Sequence, residues 1–191
     1  MKTPRPTTKP TTDRAALLPL LGEVFRAHGY EGASLALITE ATGLGKGSLY
    51  HFFPGGKKQM AQEVLAEIDG WFEANIFAAL RDPADPRAAI EAMLAGVETY
   101  FRSGARVCLV GVIALGHARD EFAAPVNDYF ARWQDALAEA LRRSGLSVAV
   151  ARRRAEDAVL SIQGALVLAR ARHDAKIFPR ALAELKVRLL A

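Results

Sequence analysis

Between residues 46 and 58 the chain reads KGSLYHFFPGGKK, and its side chains suit contact with a polyanion better than catalysis. Lys46, Gly47 and Ser48 supply a long cationic donor, a position without a side chain and a short hydroxyl. Such a surface lets phosphates and base edges come close. Tyr50 and His51 follow with polar ends, while Leu49 and Phe53 are apolar enough to turn inward. Phe52 suits core and surface equally. Lys57 and Lys58 fall where a further helix should begin. There their charge would add to free N–H groups that already favour an anion.

No other spacing offers comparable chemistry. Gly43, Gly45 and Gly47 lack the third spacing of a dinucleotide fingerprint, and no strand precedes them. His28, His51, His117 and His173 are scattered, with no Cys or carboxylate at ligand spacing, so neither a metal site nor a cofactor is expected. No nucleophile stands beside a base, so the chain is not expected to be an enzyme. Cys108 lies in an apolar run and reads as a buried, inert thiol. Arg152 to Arg154 reads as a solvated helix end.

The elements that must position residues 46–58 are helices. Ser34 is a good N-cap for a helix from Leu35 to Thr42, with Leu35 and Ile38 inward. Gly43-Leu44-Gly45 breaks it, and a third short helix runs from Lys46 to Phe52 before Pro54. Two helices of about two turns around a glycine-containing turn fit the helix-turn-helix pattern. A first helix should start near Thr12 or Asp13 and end before Gly29, with Pro19 forcing a kink or a late start. Residues 1–12 read as a flexible basic arm.

After Pro54-Gly55-Gly56 the helices lengthen, over about 57–80, 84–103, 121–144, 148–172 and 175–190, with apolar residues at three- and four-residue spacing. Val107 to Gly116 is β-branched enough for a strand, but its helical surroundings favour a helix. The chain is therefore expected to be all-α, with about nine helices in two parts, residues 1–56 and residues 57–191.

Composition agrees. The chain has 191 residues, 51% hydrophobic and 24% charged, enough to bury a core. One cysteine excludes an internal disulfide framework and suits a reducing compartment. The first residues lack a signal peptide's apolar core, and no uncharged stretch exceeds twelve residues, so a cytoplasmic protein without a membrane partner is expected. Residues 1–58 hold eight Lys/Arg against four acids, whereas residues 59–191 hold 17 of each. All the excess positive charge lies with the KGSLYHFFPGGKK segment.

This segment resembles the DNA-binding domain of the TetR family of bacterial repressors. Members typically read as an apolar helix, then Ile-Ala-x-x-Ala-Gly-Val-Ser, then Lys-Gly-Ser-Leu-Tyr-His-x-Phe-x-x-Lys. The chain matches at Ile38, Gly43, Lys46, Gly47, Ser48, Leu49, Tyr50, His51, Phe53 and Lys57. The longer FPGGK link and the later RVCLVG resemble the LmrA/YxaF-like subgroup. The resemblance is strong over residues 13–65; beyond them it rests on helix pattern and on QGALVLAR. Thr39 and Thr42 replace the usual alanines, Gly45 stands where serine commonly caps, and Pro19 is unusual. The two threonines need their hydroxyls to find backbone acceptors.

The resemblance implies a homodimeric, sequence-specific DNA-binding regulator, a repressor released by a small apolar or aromatic effector. Contacts to the double-stranded operator would come from Ser34, Gly45, Lys46, Gly47, Ser48, Tyr50, His51 and Lys57, within a motif of about residues 34–53. An effector pocket would draw on Phe72, Met93, Tyr100, Phe101, Cys108, Phe130 and Trp133, with Asn127 and Gln163 orienting the ligand. The last two helices would build the dimer through small and branched residues: Ala158, Ile162, Ala165, Leu166 and Ala169, with Leu182 and Leu185. The competing reading is a helical small-molecule-binding or adaptor protein that never engages DNA.

Overall fold

A computed structural model describes residues 13–82 and 84–191. Among these residues every regular element is helical. The expected basic arm and Thr12 lie outside the described residues. Asp13 caps α1 (Arg14–Gly32), its carboxylate accepting from the Ala15 N–H at 3.0 Å. Pro19 neither delays nor breaks this helix: the first non-helical backbone angles come at Gly29. Pro19 and Ala15 are both exposed, so the carbonyl that loses its partner is left to solvent.

Ser34 caps α2 (Leu35–Thr42), its hydroxyl accepting from the Leu37 N–H at 3.3 Å. The threonine hydroxyls find backbone acceptors. Thr39 donates to the Ala36 carbonyl at 2.8 Å and Thr42 to the Ile38 carbonyl at 2.7 Å. Gly43 ends α2 at φ 69°, a left-handed conformation that is costly for a residue with a Cβ. Gly45 then caps α3 (Lys46–Phe52) without a side-chain bond.

A tight turn closes with the Gly56 N–H on the Phe53 carbonyl at 2.9 Å, and Gly56 has φ 65°. It launches α4 (Gly56–Phe72), whose cap is the Gln59 side chain accepting from the Gly55 N–H at 2.7 Å. A π turn, Glu73–Phe77, carries α4 directly into the one-turn α5 (Ala78–Arg81), so the three form one rod. The sequence pattern gave no sign of that turn. Arg132 of a later helix bridges Asp69, Glu73 and Asp128 across it and covers the Phe77 ring, its Cζ 5.4 Å from the ring centre.

The remaining elements are α6 (Pro86–Tyr100), α7 (Leu109–Leu115), α8 (Ala123–Arg143), α9 (Val148–Ala171) and α10 (Ile177–Leu190). Short 3-10 turns lie at Arg102–Gly104 and His117–Asp120. Counting α4 to α5 as one rod gives nine helices among the described residues. The β-branched run at 107–116 is a helix, capped by the Cys108 sulfur 3.4 Å from the Gly111 N–H. One continuous core links both halves of the chain, from Leu17 and Phe53 to Trp133 and Leu185. Its centre is a cluster of rings in which Phe72 meets Tyr100, Tyr129 and Trp133 at 4.8, 5.1 and 5.3 Å between centroids. Full burial of such side chains contributes roughly 1.5–3 kcal/mol each. α8 packs along α9, and α9 along α10, to close the larger part.

Candidate nucleic-acid interface and cavity

The α2–α3 pair presents the KGSLYH residues as the pattern anticipates. Leu49 and Phe53 are fully buried in the core and anchor α3, which packs against α2. Arg14 stacks its guanidinium 5.3 Å from the Phe53 ring centre while pairing with Glu63 of α4. With that side anchored, Lys46, Gly47, Ser48, Tyr50 and His51 all stand exposed. The Tyr50 ring lies close to Gly56, where an added Cβ would come within 3.5 Å of it. His51 meets Phe52 edge-on at 5.7 Å, and Phe52 is half-buried. Ser34 and Gly45 open α2 and α3 on exposed backbone.

Lys57 departs from its expected position as a free cation. Its ammonium donates to the Tyr30 carbonyl at 2.9 Å and approaches the Glu31 carbonyl at 3.4 Å. It also stands 4.7 Å from the Tyr30 ring centre. The unpaired carbonyls at the end of α1 attract a cation, and Lys57 serves as that partner. Lys58 pairs with Glu121, 3.0 Å away at the foot of α8.

The same corner joins the end of α1 to the turn before α8. The Glu31 carboxylate accepts the Ala118 N–H at 2.7 Å, and Tyr30 meets Phe122 edge-on at 5.1 Å. Hydrogen bonds from its own N–H and from Ala118, with the nearby charges of His117 and Lys57, hold the Glu31 carboxyl below the usual carboxylate range. The sequence offered no clue to this residue, because its partner lies 87 positions away.

The residues proposed for a pocket separate into two sets. Phe72, Met93, Phe101 and Trp133 are fully buried and packed together, so they are core, as their ring contacts require. Asn127 is exposed on α8. Tyr100 accepts a hydrogen bond from Arg26 at 3.1 Å and packs tilted against Trp71 at 4.6 Å, in a small cleft that shares Arg26 alone with the main cavity. Cys108, Phe130 and Gln163 do come together. With α7 and α9 they line a cavity of about 680 Å³, within the usual range for small-molecule sites. Burial pushes the Cys108 thiol up, so it stays protonated as expected of an inert thiol.

Most of the aliphatic wall, and both of its charged residues, lie outside the residues that the sequence pattern marks. Arg26, on α1, is 7% exposed, bonds Glu23 at 3.0 Å and reaches the cavity. Its signal was Gly22, four residues earlier: a Cβ there would stand 3.1 Å from the Arg26 guanidinium. The other, Arg170, stands exposed near the end of α9.

The residues expected to form the dimer stripe are buried within the chain itself. Ala158, Ile162, Ala165, Leu166, Ala169, Leu182 and Leu185 are at most 5% exposed, because α9 and α10 turn them onto α8 and onto each other. The outward face of α9 instead carries Leu160, Gly164, Val167, Leu168 and Ala171, and that of α10 carries Val187. Leu160, Val167 and Val187 are 67%, 59% and 68% exposed, an apolar patch unusual for a surface without a partner. Small and large residues both occur on both faces, so residue type alone does not tell them apart. Among the described residues no helix is long and apolar enough to cross a membrane.

Comparison with known proteins agrees with this arrangement. The family model for bacterial regulatory proteins of the tetR family matches residues 22–64. The model for the LmrA/YxaF-like transcriptional regulator C-terminal domain matches residues 86–184, just over half the chain. The HTH-type transcriptional regulator LmrA of Bacillus subtilis (strain 168) is 27% identical over 159 residues, covering 81% of this chain and 85% of LmrA. Among solved structures, the regulatory protein TetR from Rhodobacter sphaeroides superposes with a TM-score of 0.76 at 22% identity, over 94% of this chain and 97% of that one. The TetR-family regulator CifR, solved as a cysteine mutant with 26-bp double-strand operator DNA, gives 0.74 at 27% identity over 96% and 99%. With its helix-turn-helix exposed on α3 and its C-terminal helices matched to this subgroup, the chain belongs to the TetR family of bacterial regulatory proteins, as a transcriptional regulator with an LmrA/YxaF-like C-terminal domain.

Proposed function

We propose that the chain binds operator DNA as a homodimer and releases it when a small apolar molecule enters the α7–α9 cavity. The observation that carries this reading is the polarity of α3. Its Lys46, Gly47, Ser48, Tyr50 and His51 face solvent while Leu49 is fully buried. In a helix-turn-helix this arrangement sends the start of the second helix into the major groove. Lys46 and Ser48 would meet base edges or phosphates, Tyr50 and His51 phosphates, and the backbone at Ser34 and Gly45 the flanking strand. Lys57 acts as a rivet between α4 and α1. That the related CifR was solved with operator DNA supports the DNA-binding reading.

Residues 1–56 form the reader, and residues 57–191 the ligand-binding and dimerisation part. The outward faces of α9 and α10 join two copies, and two reading helices then meet successive major grooves about 34 Å apart. Leu160, Gly164 and Val167 belong both to that face and to the cavity wall, so a second copy also closes the cavity. An occupant displaces α7, and the turn after it grips α1 through Ala118 and Glu31. A coupling of about 1–3 kcal/mol suffices for regulation.

The test is selection from random double-stranded DNA by the purified chain, followed by anisotropy on the enriched sequence across salt. Enrichment of a two-fold-symmetric site, with affinity falling steeply as salt rises, is the expected result. Absence of any enriched sequence would overturn the reading.

A further inference from the structure

We propose that the cavity takes an organic acid: an apolar body whose carboxylate, or equivalent anionic head, is received by Arg26 together with Gln163. This rests on the effector-cavity reading above and adds the chemistry of the occupant. The wall is mostly aliphatic, and its two charged members, Arg26 and Arg170, are both cations. No Asp or Glu lines the cavity among the described residues.

Two buried donors of this wall lack an oxygen acceptor: the Arg26 Nε, and the Gln163 Nε2, which has only the weakly accepting Cys108 thiol beside it. Buried N–H groups normally find partners, so this pair fits a site that receives an acceptor from outside the chain. Charge balance favours an anion. Glu23 is shared between Arg26, at 3.0 Å, and Arg106, at 2.9 Å, leaving two guanidiniums on one carboxylate. An anionic head drawn to Arg26 therefore meets uncompensated positive charge. A cationic ligand would meet two arginines and no acid.

The position of Arg26 gives the acid a direct effect. It belongs to α1, while the other wall residues belong to the segment from Val107 onward. A head group on the Arg26 Nε shares the guanidinium with Glu23 and with the Tyr100 hydroxyl, 3.1 Å away, and weakens their hold on it. It therefore changes how α1 is held and reaches the DNA-reading half through one side chain.

The experiment uses the full-length dimer and three fluorescent probes sharing one apolar body: 1-pyrenebutyrate, its primary amide, and 1-pyrenebutylamine. Binding is measured for the wild type, Arg26→Met, Arg170→Met, Gln163→Leu and Ala114→Phe, each confirmed as folded by circular dichroism. The acid should bind the wild type about tenfold or more tightly than the amide, and the amine weakest. Arg26→Met should abolish the acid's preference and Gln163→Leu reduce it. Ala114→Phe, which narrows the cavity, should weaken every probe.

Equal binding of acid and amide, both lost in Ala114→Phe, would overturn the acid proposal while leaving the effector cavity intact. A preference that survives Arg26→Met but vanishes in Arg170→Met would overturn the role of Arg26. No binding of any probe would overturn both the proposal and the cavity reading. Should Arg26→Met fail to fold, Gln163→Leu and the wild-type acid-to-amide ratio still decide.

Discussion

Replacing Lys57 by Met separates two roles that a lysine beside a recognition helix can play. The substitution keeps most of the stem and removes the ammonium. It loses one good charged hydrogen bond, to the Tyr30 carbonyl at 2.9 Å, and a longer one to Glu31 at 3.4 Å. It also loses a cation–π contact at 4.7 Å from the Tyr30 ring centre. A hydrogen bond to a charged group contributes about 1.5–3 kcal/mol, and a partly exposed cation–π contact about 0.5–1 kcal/mol. Water can reach the freed carbonyls, which offsets part of this, so a net loss of about 2 kcal/mol is expected. For a chain of this length each kcal/mol moves the Tm by about 2–4 °C, so thermal unfolding should fall by about 4–8 °C. DNA binding followed by anisotropy across salt should keep its slope, because no phosphate contact is removed. Lys46→Met, on the exposed start of α3, should behave oppositely. Its stability should change by no more than about 0.5 kcal/mol while the slope flattens by about 0.9 per protomer. A Lys57→Met protein with unchanged Tm and a slope flatter by that amount would refute the rivet and restore Lys57 as a phosphate contact.

Two further outcomes follow from burial and charge. Val167→Asp, on the exposed face of α9, should yield a folded monomer by light scattering and circular dichroism, whereas Leu166→Asp, facing the core, should unfold the chain. A folded monomer from Leu166→Asp, with Val167→Asp still dimeric, would return the interface to the buried stripe. The lowered Glu31 carboxyl also makes stability depend on pH. Because its folded value lies below its unfolded one, its contribution is complete above the usual carboxylate range and is lost as the pH falls through the folded value. Urea midpoints of the wild type and Glu31→Gln should therefore converge as the pH falls through the interval below the usual carboxylate range. Parallel curves through that interval would show that the contact with Ala118 does not favour the charged form.

Residue order determines this chain most completely where structure is local. Ser34 as a cap, Gly43 as a left-handed stop, the split of Leu49 and Phe53 from Tyr50 and His51, and nine helical rods all depend on residues within a few positions of one another. Helical period and capping act over that range, so residue order alone determines them. Even Thr39 and Thr42, unusual for the family it resembles, meet their acceptors within four residues.

What only the tertiary structure decided was which of several chemically similar groups meets which distant partner. Lys57 is as basic as Lys46, but packing of α4 against α1 sets its ammonium on two carbonyls 26 and 27 positions away. Leu166 and Val167 are adjacent and equally apolar, yet the turn of α9 buries one and exposes the other. Arg26 reaches the cavity wall only because α1, α7 and α9 meet around it. Composition and spacing carry no record of those encounters, because they arise from the three-dimensional docking of complete helices. The exposed face of α3 was therefore legible in the sequence, while the lining of the α7–α9 cavity and the outward apolar face of α9 were not.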